Sequence, residues 1–264
     1  MKPGMARYTV LCDEKGTSLD DAIVFKHSET SFSLIVNAGN REKDYTHLEK
    51  HSTSFDITLS NLFETDGILA IQGPLSKKFL APFCPDIEKL SFMKGIETSY
   101  HGASLFISQT GYTGEMGYEI YAENNLIQRL WSDFFREQSS LEPIGLGTRD
   151  LLRQEMGFAL YGHELSDSIY PIESVSSWVV HLDKGDFCGK DALVEWEQKA
   201  LKKRKQYGVV LEEKGVPRQG YSVMQGEREI GVVTSGTFSP SLQKPIAIIM
   251  VDRPLQKGDQ VTIM

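Results

Sequence analysis

Cysteine is scarce in this 264-residue sequence. The three that occur, Cys12, Cys84 and Cys188, are widely separated. None of them stands in a CxxC or Cys/His spacing of the kind that binds zinc, and an odd number of scattered cysteines does not suggest a disulfide framework. The sequence therefore favours a reducing, intracellular setting and predicts a protein without a structural metal.

Long apolar runs and clustered positive charge are also missing. The longest apolar run, residues 246–251, is far too short to span a bilayer, and the start MKPGMARYTV lacks the apolar core of a signal peptide. A net charge of −8 argues against contacts with nucleic-acid phosphates. The one basic run, residues 202–205, ends a predicted helix, where cations are favoured, so a solvated helix end is preferred to a binding patch. We expect a soluble, cytoplasmic protein without nucleic-acid or membrane partners.

The length of 264 residues predicts one large domain or two to three smaller ones, and the hydrophobic pattern mixes strands with helices, as in an α+β protein. Strands are predicted over residues 8–12, 22–26, 32–37, 55–59, 67–72, 104–109, 118–121 and 178–182, and helices over 40–51, 75–81, 126–135, 148–158 and 191–205. From residue 207 onward short strands alternate with Gly and Pro turns, over 208–212, 221–225, 229–233, 246–252 and 260–264. We predict one domain over residues 1–200 and a small all-β module, a barrel or a sandwich, over 201–264.

The most informative stretch is GYTGEMGYEIY, residues 111–121. Its first part is turn chemistry, because glycine adopts positive φ without steric cost. Its second part alternates as a strand, so Glu119 and Tyr121 point to the same face. A carboxylate there can accept two parallel N–H bonds from a flat heterocycle. A hairpin turn with a solvated glutamate is the alternative, and the motif alone does not exclude it.

Two other places carry candidate polar groups. Asp20 and Asp21 stand directly before the predicted strand at 22–26, where Asp20 could close a turn and leave the side chain of Asp21 free. The block GLGTRD opens a predicted helix, whose start can receive an anion with help from Arg149. His163 and Cys188 fit structural roles better, as a loop histidine and a small packing residue.

Taken together, these blocks resemble the aminomethyltransferase of the glycine cleavage system, the T-protein. The resemblance covers essentially the whole chain, and the number of ordered blocks makes chance similarity very improbable. They are ARYT (6–9), LDDAIV (19–24), VNAGNREKD (36–44), ILAIQGP (68–74), GYTGEMGYEIY (111–121), GLGTRD (145–150), LYGHEL (160–165), LDKGDFCGKDAL (182–193) and GVVTSGTFSP (231–240).

The resemblance implies a fold and a reaction. T-proteins have interlaced α/β subdomains with antiparallel sheets that bind tetrahydrofolate, followed by a C-terminal β-barrel. They take the aminomethyl group carried on the lipoyl arm of H-protein, release ammonia and form 5,10-methylenetetrahydrofolate. Tetrahydrofolate is thus the implied co-substrate, lipoylated H-protein the implied partner, and no metal is implied.

The resemblance also assigns roles to residues. Asp21 matches the aspartate beside the reactive folate nitrogens, and Glu119 matches the glutamate that binds the pterin. The remaining folate-binding set comprises Tyr8, Ile23, Ile35, Tyr112, Tyr121 and Arg149, with the strand backbone contributing near Ile23 and Ile35.

The sequence departs from the family pattern in three respects. It begins at ARYT without the usual preceding segment, it stops before a basic tail, and Phe25 replaces a hydroxyl-bearing aromatic. A folate-binding paralogue or fragment without transferase activity is therefore the alternative function. The folate domain of a sarcosine-oxidising enzyme is disfavoured because no GxGxxG dinucleotide domain is present.

Overall fold

A three-stranded sheet opens the chain. The computed structural model describes residues 1–137, 140–199 and 204–264. Strands β1 (Ala6–Cys12), β2 (Ser18–Lys26) and β3 (Phe32–Val36) are neighbours in that order, and helix α1 (Arg41–Ser52) follows. The prediction that β2 begins at residue 22 was wrong. The strand begins at Ser18, whose backbone N–H and hydroxyl both donate to the carbonyl of Ile169, so both aspartates lie inside it.

A four-stranded antiparallel sheet forms the middle of the chain. In chain order its elements are β4 (Asp66–Gln72), α2 (Ser76–Leu80), β5 (Gly95–Tyr100), β6 (Ala103–Ser108), β7 (Gly117–Glu123) and α3 (Asn124–Glu137), and the strand order is β4-β7-β6-β5. Strand β5 was not predicted. The strands predicted over residues 55–59 and 178–182 were wrong. The first segment is irregular and exposes Phe55 and Ile57, and the second begins within a short 3-10 helix, Ser177–Val179, instead of a strand.

One face of this sheet forms the larger hydrophobic core. Alternate residues of β4, β6 and β7 point to that face, where they pack against the apolar sides of α2 and α3. The buried members include Leu69, Ile71, Phe79, Leu80, Leu105, Ile107, Tyr118, Ile120, Leu126, Leu130 and Phe134. The opposite face of the sheet is therefore the one on which polar side chains of β6 and β7 can serve a site.

The remaining chain contains two helices and a five-stranded sheet. Helices α4 (Leu146–Glu155) and α5 (Lys190–Lys199) precede strands β8 (Lys205–Val210), β9 (Ser222–Gln225), β10 (Arg228–Ser239), β11 (Lys244–Val251) and β12 (Thr262–Ile263), which adopt the order β12-β9-β10-β11-β8. The predicted all-β module is confirmed. The helix predicted over 191–205 is present as α5 over Lys190–Lys199, and Lys205, at the predicted helix end, belongs to β8 instead. The boundary predicted between residues 200 and 201 falls on 200–203, outside the described residues.

Two compact units share the chain. The first consists of Met1–Tyr8 and Ile23–Leu146, and the second of Thr9–Ala22 and Gly147–Met264. Each unit is thus discontinuous in sequence, which agrees with the predicted interlaced α+β class. Among the helices of the described residues, none is both long and apolar enough to cross a membrane.

Candidate active site

Glu119 lies on the sheet face that is turned away from the larger core. Strand register places it opposite Ala70 of β4 and Ser108 of β6, and places Tyr121 opposite Ile68 and Phe106. Residues paired directly across neighbouring strands share a face, so these side chains form one continuous surface. The predicted alternation that sends Glu119 and Tyr121 to the same face is confirmed.

Three hydroxyl groups orient the Glu119 carboxylate. Thr110 Oγ1 and the Tyr121 hydroxyl, the latter at 2.9 Å, both donate to Glu119 Oε2. Because the single hydroxyl proton of Thr110 points to Glu119, Ser108 Oγ must be the donor in its 2.5 Å contact with Thr110 Oγ1. Within the described residues, no side-chain or backbone donor bonds to Oε1 of the half-buried Glu119. One carboxylate oxygen is thus anchored by the protein and the other remains an acceptor.

The loop before β7 is fastened by Gln72, at the end of β4. The Gln72 side-chain amide donates to the carbonyls of Thr110 and Tyr118, at 3.3 and 3.1 Å. Its carbonyl accepts a bond from Thr113 Oγ1 at 3.4 Å. A Cβ at either Gly111 or Gly117 would overlap this side chain. Glycine is therefore required at both positions, because the backbone there lies too close to the Gln72 side chain to leave room for a Cβ.

Aromatic rings border the anchored carboxylate. Phe25 meets the rings of Phe106 and Tyr121 edge to face, with centroids 5.0 and 5.6 Å apart, and His27 meets Phe106 at 4.8 Å. Burial, and secondarily the negative charge of Glu119, raises the pKa of the Tyr121 phenol well above its usual value. Tyr121 accordingly stays a neutral hydrogen-bond donor at physiological pH.

The other predicted binding residues of the first unit occupy separate elements. Tyr8 is the last residue of β1 that belongs to the first unit. Ile23 lies on β2, Ile35 on β3, and Tyr112 in the loop that is bonded to Gln72. All four are half-buried. A ligand could contact half-buried residues such as these without unfolding of the strands and the loop that carry them.

Asp21 and Arg149 belong to the second unit. Asp20 and Asp21 face opposite sides of β2 because strand side chains alternate. Asp20 is wholly buried, on the side shared by Ser18 and Ala22, whereas Asp21 is only half-buried. The prediction that Asp20 closes a turn was wrong, because both aspartates lie within the strand, and it is the strand alternation that separates their carboxylates. Arg149 lies exposed near the start of α4.

A buried ion pair that the sequence did not indicate anchors α4. Arg153 lies one turn beyond Arg149 and is completely buried. Its guanidinium donates to the carboxylates of Asp150 and Glu164 and to the hydroxyl of Ser235, at 2.8, 2.8 and 2.9 Å. His163 Nδ1 lies 2.9 Å from the Thr234 carbonyl, a contact that fits its expected structural role. The helix that carries Arg149 therefore has a fixed position within its unit.

Three residues that build the Glu119 surface were not predicted from the sequence. Ser108 and Gln72 fall within predicted strands, and Thr110 falls between a predicted strand and the motif. Thr110 directly precedes the GYTGEMGYEIY motif, which is a signal that could have been used. Gln72 lies 38 residues before Thr110, and nothing in local sequence pattern could have linked the two.

These features define an α+β protein with a C-terminal all-β module and one oriented carboxylate on a sheet face. Residues 1–184 match the family described as the GCVT N-terminal domain, and residues 204–264 match the glycine cleavage T-protein C-terminal barrel domain. The chain belongs to the glycine cleavage T-protein family.

Similar proteins agree with this assignment. An aminomethyltransferase of Pseudothermotoga lettingae is 38% identical over 100% of this chain and 73% of its own length. One of Listeria innocua is 41% identical over 98% of this chain and 72% of its own length. The crystal structure of glycine cleavage system aminomethyltransferase T from Bartonella henselae superposes with a TM-score of 0.87 and 34% identity, covering 96% of this chain and 69% of that one.

Proposed function

We propose that this chain is a tetrahydrofolate-dependent aminomethyltransferase of glycine cleavage. In this proposal it takes the aminomethyl group from the lipoyl arm of H-protein in the cytoplasm. Ammonia is released, and the one-carbon unit passes to folate as 5,10-methylenetetrahydrofolate. Family membership along the chain supports this function, as do relatives that bear the name aminomethyltransferase.

The proposal rests on the Glu119 carboxylate. Its Oε2 accepts two hydrogen bonds from hydroxyl groups, whereas its Oε1 accepts none from the described residues. An amino-pyrimidinone edge, such as that of a pterin, offers N–H donors, and an ionised carboxylate is a strong acceptor for them. Oε2 already accepts two hydroxyl bonds, so the free acceptor positions are on Oε1. The ligand's N–H groups would converge on Oε1, or one would displace the Tyr121 hydroxyl from Oε2.

The neighbouring side chains suit a flat ring. Phe106 and Tyr121 flank Glu119 on the same sheet face, and Ile68 of the edge strand is half exposed beside them. Apolar and aromatic surface with a single oriented polar group is the usual composition of a small-molecule site. In this proposal Tyr8, Ile23, Ile35, Tyr112 and Arg149 supply further folate contacts.

Asp21 is proposed to assist the chemistry. The bonds from the methylene carbon to the lipoyl sulfur and to the amino nitrogen break, and the carbon becomes bonded to two folate nitrogens. The two protons released from those nitrogens balance the thiol and the ammonia that are formed. A carboxylate near the reacting nitrogens can hold a proton while charge develops, and a half-buried Asp21 can exchange that proton with the substrate.

Calorimetric titration of the purified 264-residue chain with tetrahydrofolate is the first test. We expect binding at about micromolar Kd or tighter, a range ordinary for enzyme substrates, followed by transfer from aminomethylated H-protein in a coupled assay. A folded chain that does not bind tetrahydrofolate would contradict the proposal.

A folate-binding protein without transferase activity is the second candidate. It is favoured by Phe25, which is almost completely buried and provides only ring contacts where a hydroxyl is usual. Tight binding of tetrahydrofolate without any transfer from H-protein would select this candidate.

A further inference from the structure

We propose that Thr110, held by Ser108, is a positioning residue that fixes Glu119 for its ligand. The inference rests on the proposed function, because it assumes that Glu119 binds the pterin. Thr110 itself is not expected to touch the ligand. Its role is to keep one carboxylate oxygen occupied so that the other presents its lone pairs in a single direction.

The direction of the hydrogen bonds among these hydroxyl groups supports this role. The bonds run in one sense, from Ser108 to Thr110 and from Thr110 to Glu119, because Thr110 has one hydroxyl proton and Glu119 accepts it. Ser108 is wholly buried and Thr110 is 4% exposed. A donor this deeply buried stays directed at Oε2, since water cannot compete for it.

The backbone of Thr110 is fixed as firmly as its hydroxyl. Its carbonyl accepts a bond from the Gln72 amide, which also holds the far end of the same loop at Tyr118. The loop therefore cannot carry the Thr110 side chain away from Glu119 without breaking the bonds of Gln72. Tyr121 provides the second donor to Oε2, from β7 itself. Glu119 is thus restrained from two different elements.

Orientation of Glu119 matters because its side chain has three rotatable bonds. A carboxylate that must be immobilised on binding loses conformational free energy that a pre-oriented one does not. Removing the Thr110 hydroxyl should consequently weaken ligand binding through Glu119. The effect should depend on the presence of Glu119, which distinguishes positioning from general loosening of the loop.

A double-mutant cycle measures this dependence, with the Kd for tetrahydrofolate as readout. The variants are Thr110→Val, Glu119→Ala and both together. We expect Thr110→Val to weaken binding about tenfold and Glu119→Ala about 30- to 100-fold, the range for a neutral hydrogen bond and for bonds to a charged group. The double variant should bind no more weakly than Glu119→Ala alone. Thr110→Ser, which keeps the hydroxyl, should restore the wild-type Kd.

Thr113→Val is the matched control. Thr113 is a β-branched residue of the same loop, 7% exposed, and its hydroxyl contacts Gln72 and the Glu115 N–H rather than Glu119. It should weaken binding less than about threefold, as expected when no bond to the ligand-binding carboxylate is lost. If Thr110→Val does not fold, as judged by circular dichroism, Ser108→Ala replaces it in the cycle because it removes the donor to Thr110.

The outcomes separate the two proposals. Unchanged tetrahydrofolate affinity in Glu119→Ala would overturn the proposed pterin contact, and the positioning role with it. Weak binding by Glu119→Ala, together with a Thr110→Val effect that equals the Thr113→Val effect or persists in the double variant, would overturn the positioning role alone. Loss of the Thr110 effect in the absence of Glu119, with rescue by serine, supports both.

Discussion

At the scale of single residues, Cys12 shows how burial changes side-chain chemistry. The thiol is 7% exposed, and desolvation, followed by the nearby Cys188 and Asp13, raises its pKa from 9.0 to about 12. The thiolate is the reactive form of cysteine, so a thiol kept protonated at neutral pH is a poor nucleophile. Cys12 is therefore expected to be inert in the folded chain.

This pKa shift predicts a loss of stability at alkaline pH. The folded state holds the Cys12 proton up to about pH 12, whereas the unfolded chain releases it near pH 9.0. The folded state therefore binds more protons in this window, and stability falls as pH rises through it, by up to about 4 kcal/mol. Below pH 9.0 the contribution is fully present.

Urea unfolding of the wild type and of Cys12→Ala at pH 7, 9 and 10.5 measures the effect. Burial also raises the pKa of Tyr121 and of Cys84, so both proteins should lose stability at high pH. Only the difference between them reports on Cys12. The decline should be steeper in the wild type, and parallel pH profiles would contradict the assigned shift.

At the scale of elements, two glycines differ in what surrounds them. A Cβ at Gly117 would overlap the end of the Gln72 side chain, whereas a Cβ at Gly231 in β10 would overlap the backbone of Met250 in β11. A side chain can move aside at the cost of its own hydrogen bonds. The backbone of a paired strand cannot move without disturbing the ladder.

We therefore expect Gly117→Ala to cost about 1–3 kcal/mol, as bonds from Gln72 to Thr110 and Tyr118 are lost. In a Gln72→Ala background the same substitution should cost less than about 1 kcal/mol, because the overlapping atoms are absent. Gly231→Ala should cost about 3 kcal/mol or more. Chemical unfolding of the four variants measures these values. An unchanged cost of Gly117→Ala without Gln72 would show that another contact excludes the methyl group.

Periodicity predicted the elements that alternate clearly and failed where contacts are distant. The strand that carries Glu119 and Tyr121 follows from its own residues, because a period of two decides which side chains share a face. The early start of β2 does not, since it depends on bonds from Ser18 to Ile169, 151 residues away. The anchoring of Glu119 combines a local signal, Thr110, with a non-local one, Gln72. The roles of Asp21 and Arg149 stay predictions.

At the scale of the whole molecule, the chain is divided into units that are discontinuous in sequence. Residues Thr9–Ala22 form a compact unit with Gly147–Met264, and the remaining residues before Gly147 form the other. Hydrophobic periodicity cannot reveal that a segment belongs to a unit distant in sequence, because the pattern of a strand does not depend on which unit it packs in. Asp21 and Glu119 belong to different units, so their proposed roles are best separated by measurements on the entire chain.

The increase in thermal stability caused by tetrahydrofolate distinguishes the role of Glu119 from that of Asp21. A ligand that binds only the folded state stabilises it by about 2.7 kcal/mol at 100 times its Kd. Tetrahydrofolate should raise the thermal midpoint of the wild type and of Asp21→Asn alike, but that of Glu119→Ala much less at the same concentration. The amide in Asp21→Asn keeps the shape of the side chain and loses its capacity to take up a proton.

Transfer from aminomethylated H-protein should respond differently, falling about 10²- to 10⁴-fold in Asp21→Asn, the usual contribution of a general acid or base. Asp167→Asn, an exposed aspartate of the same unit, is the control for loss of one negative charge. Unchanged turnover in Asp21→Asn would remove Asp21 from the mechanism. Loss of the thermal shift would instead make Asp21 a binding residue, because a group that acts only on the reacting nitrogens contributes little to the affinity for the unreacted ligand.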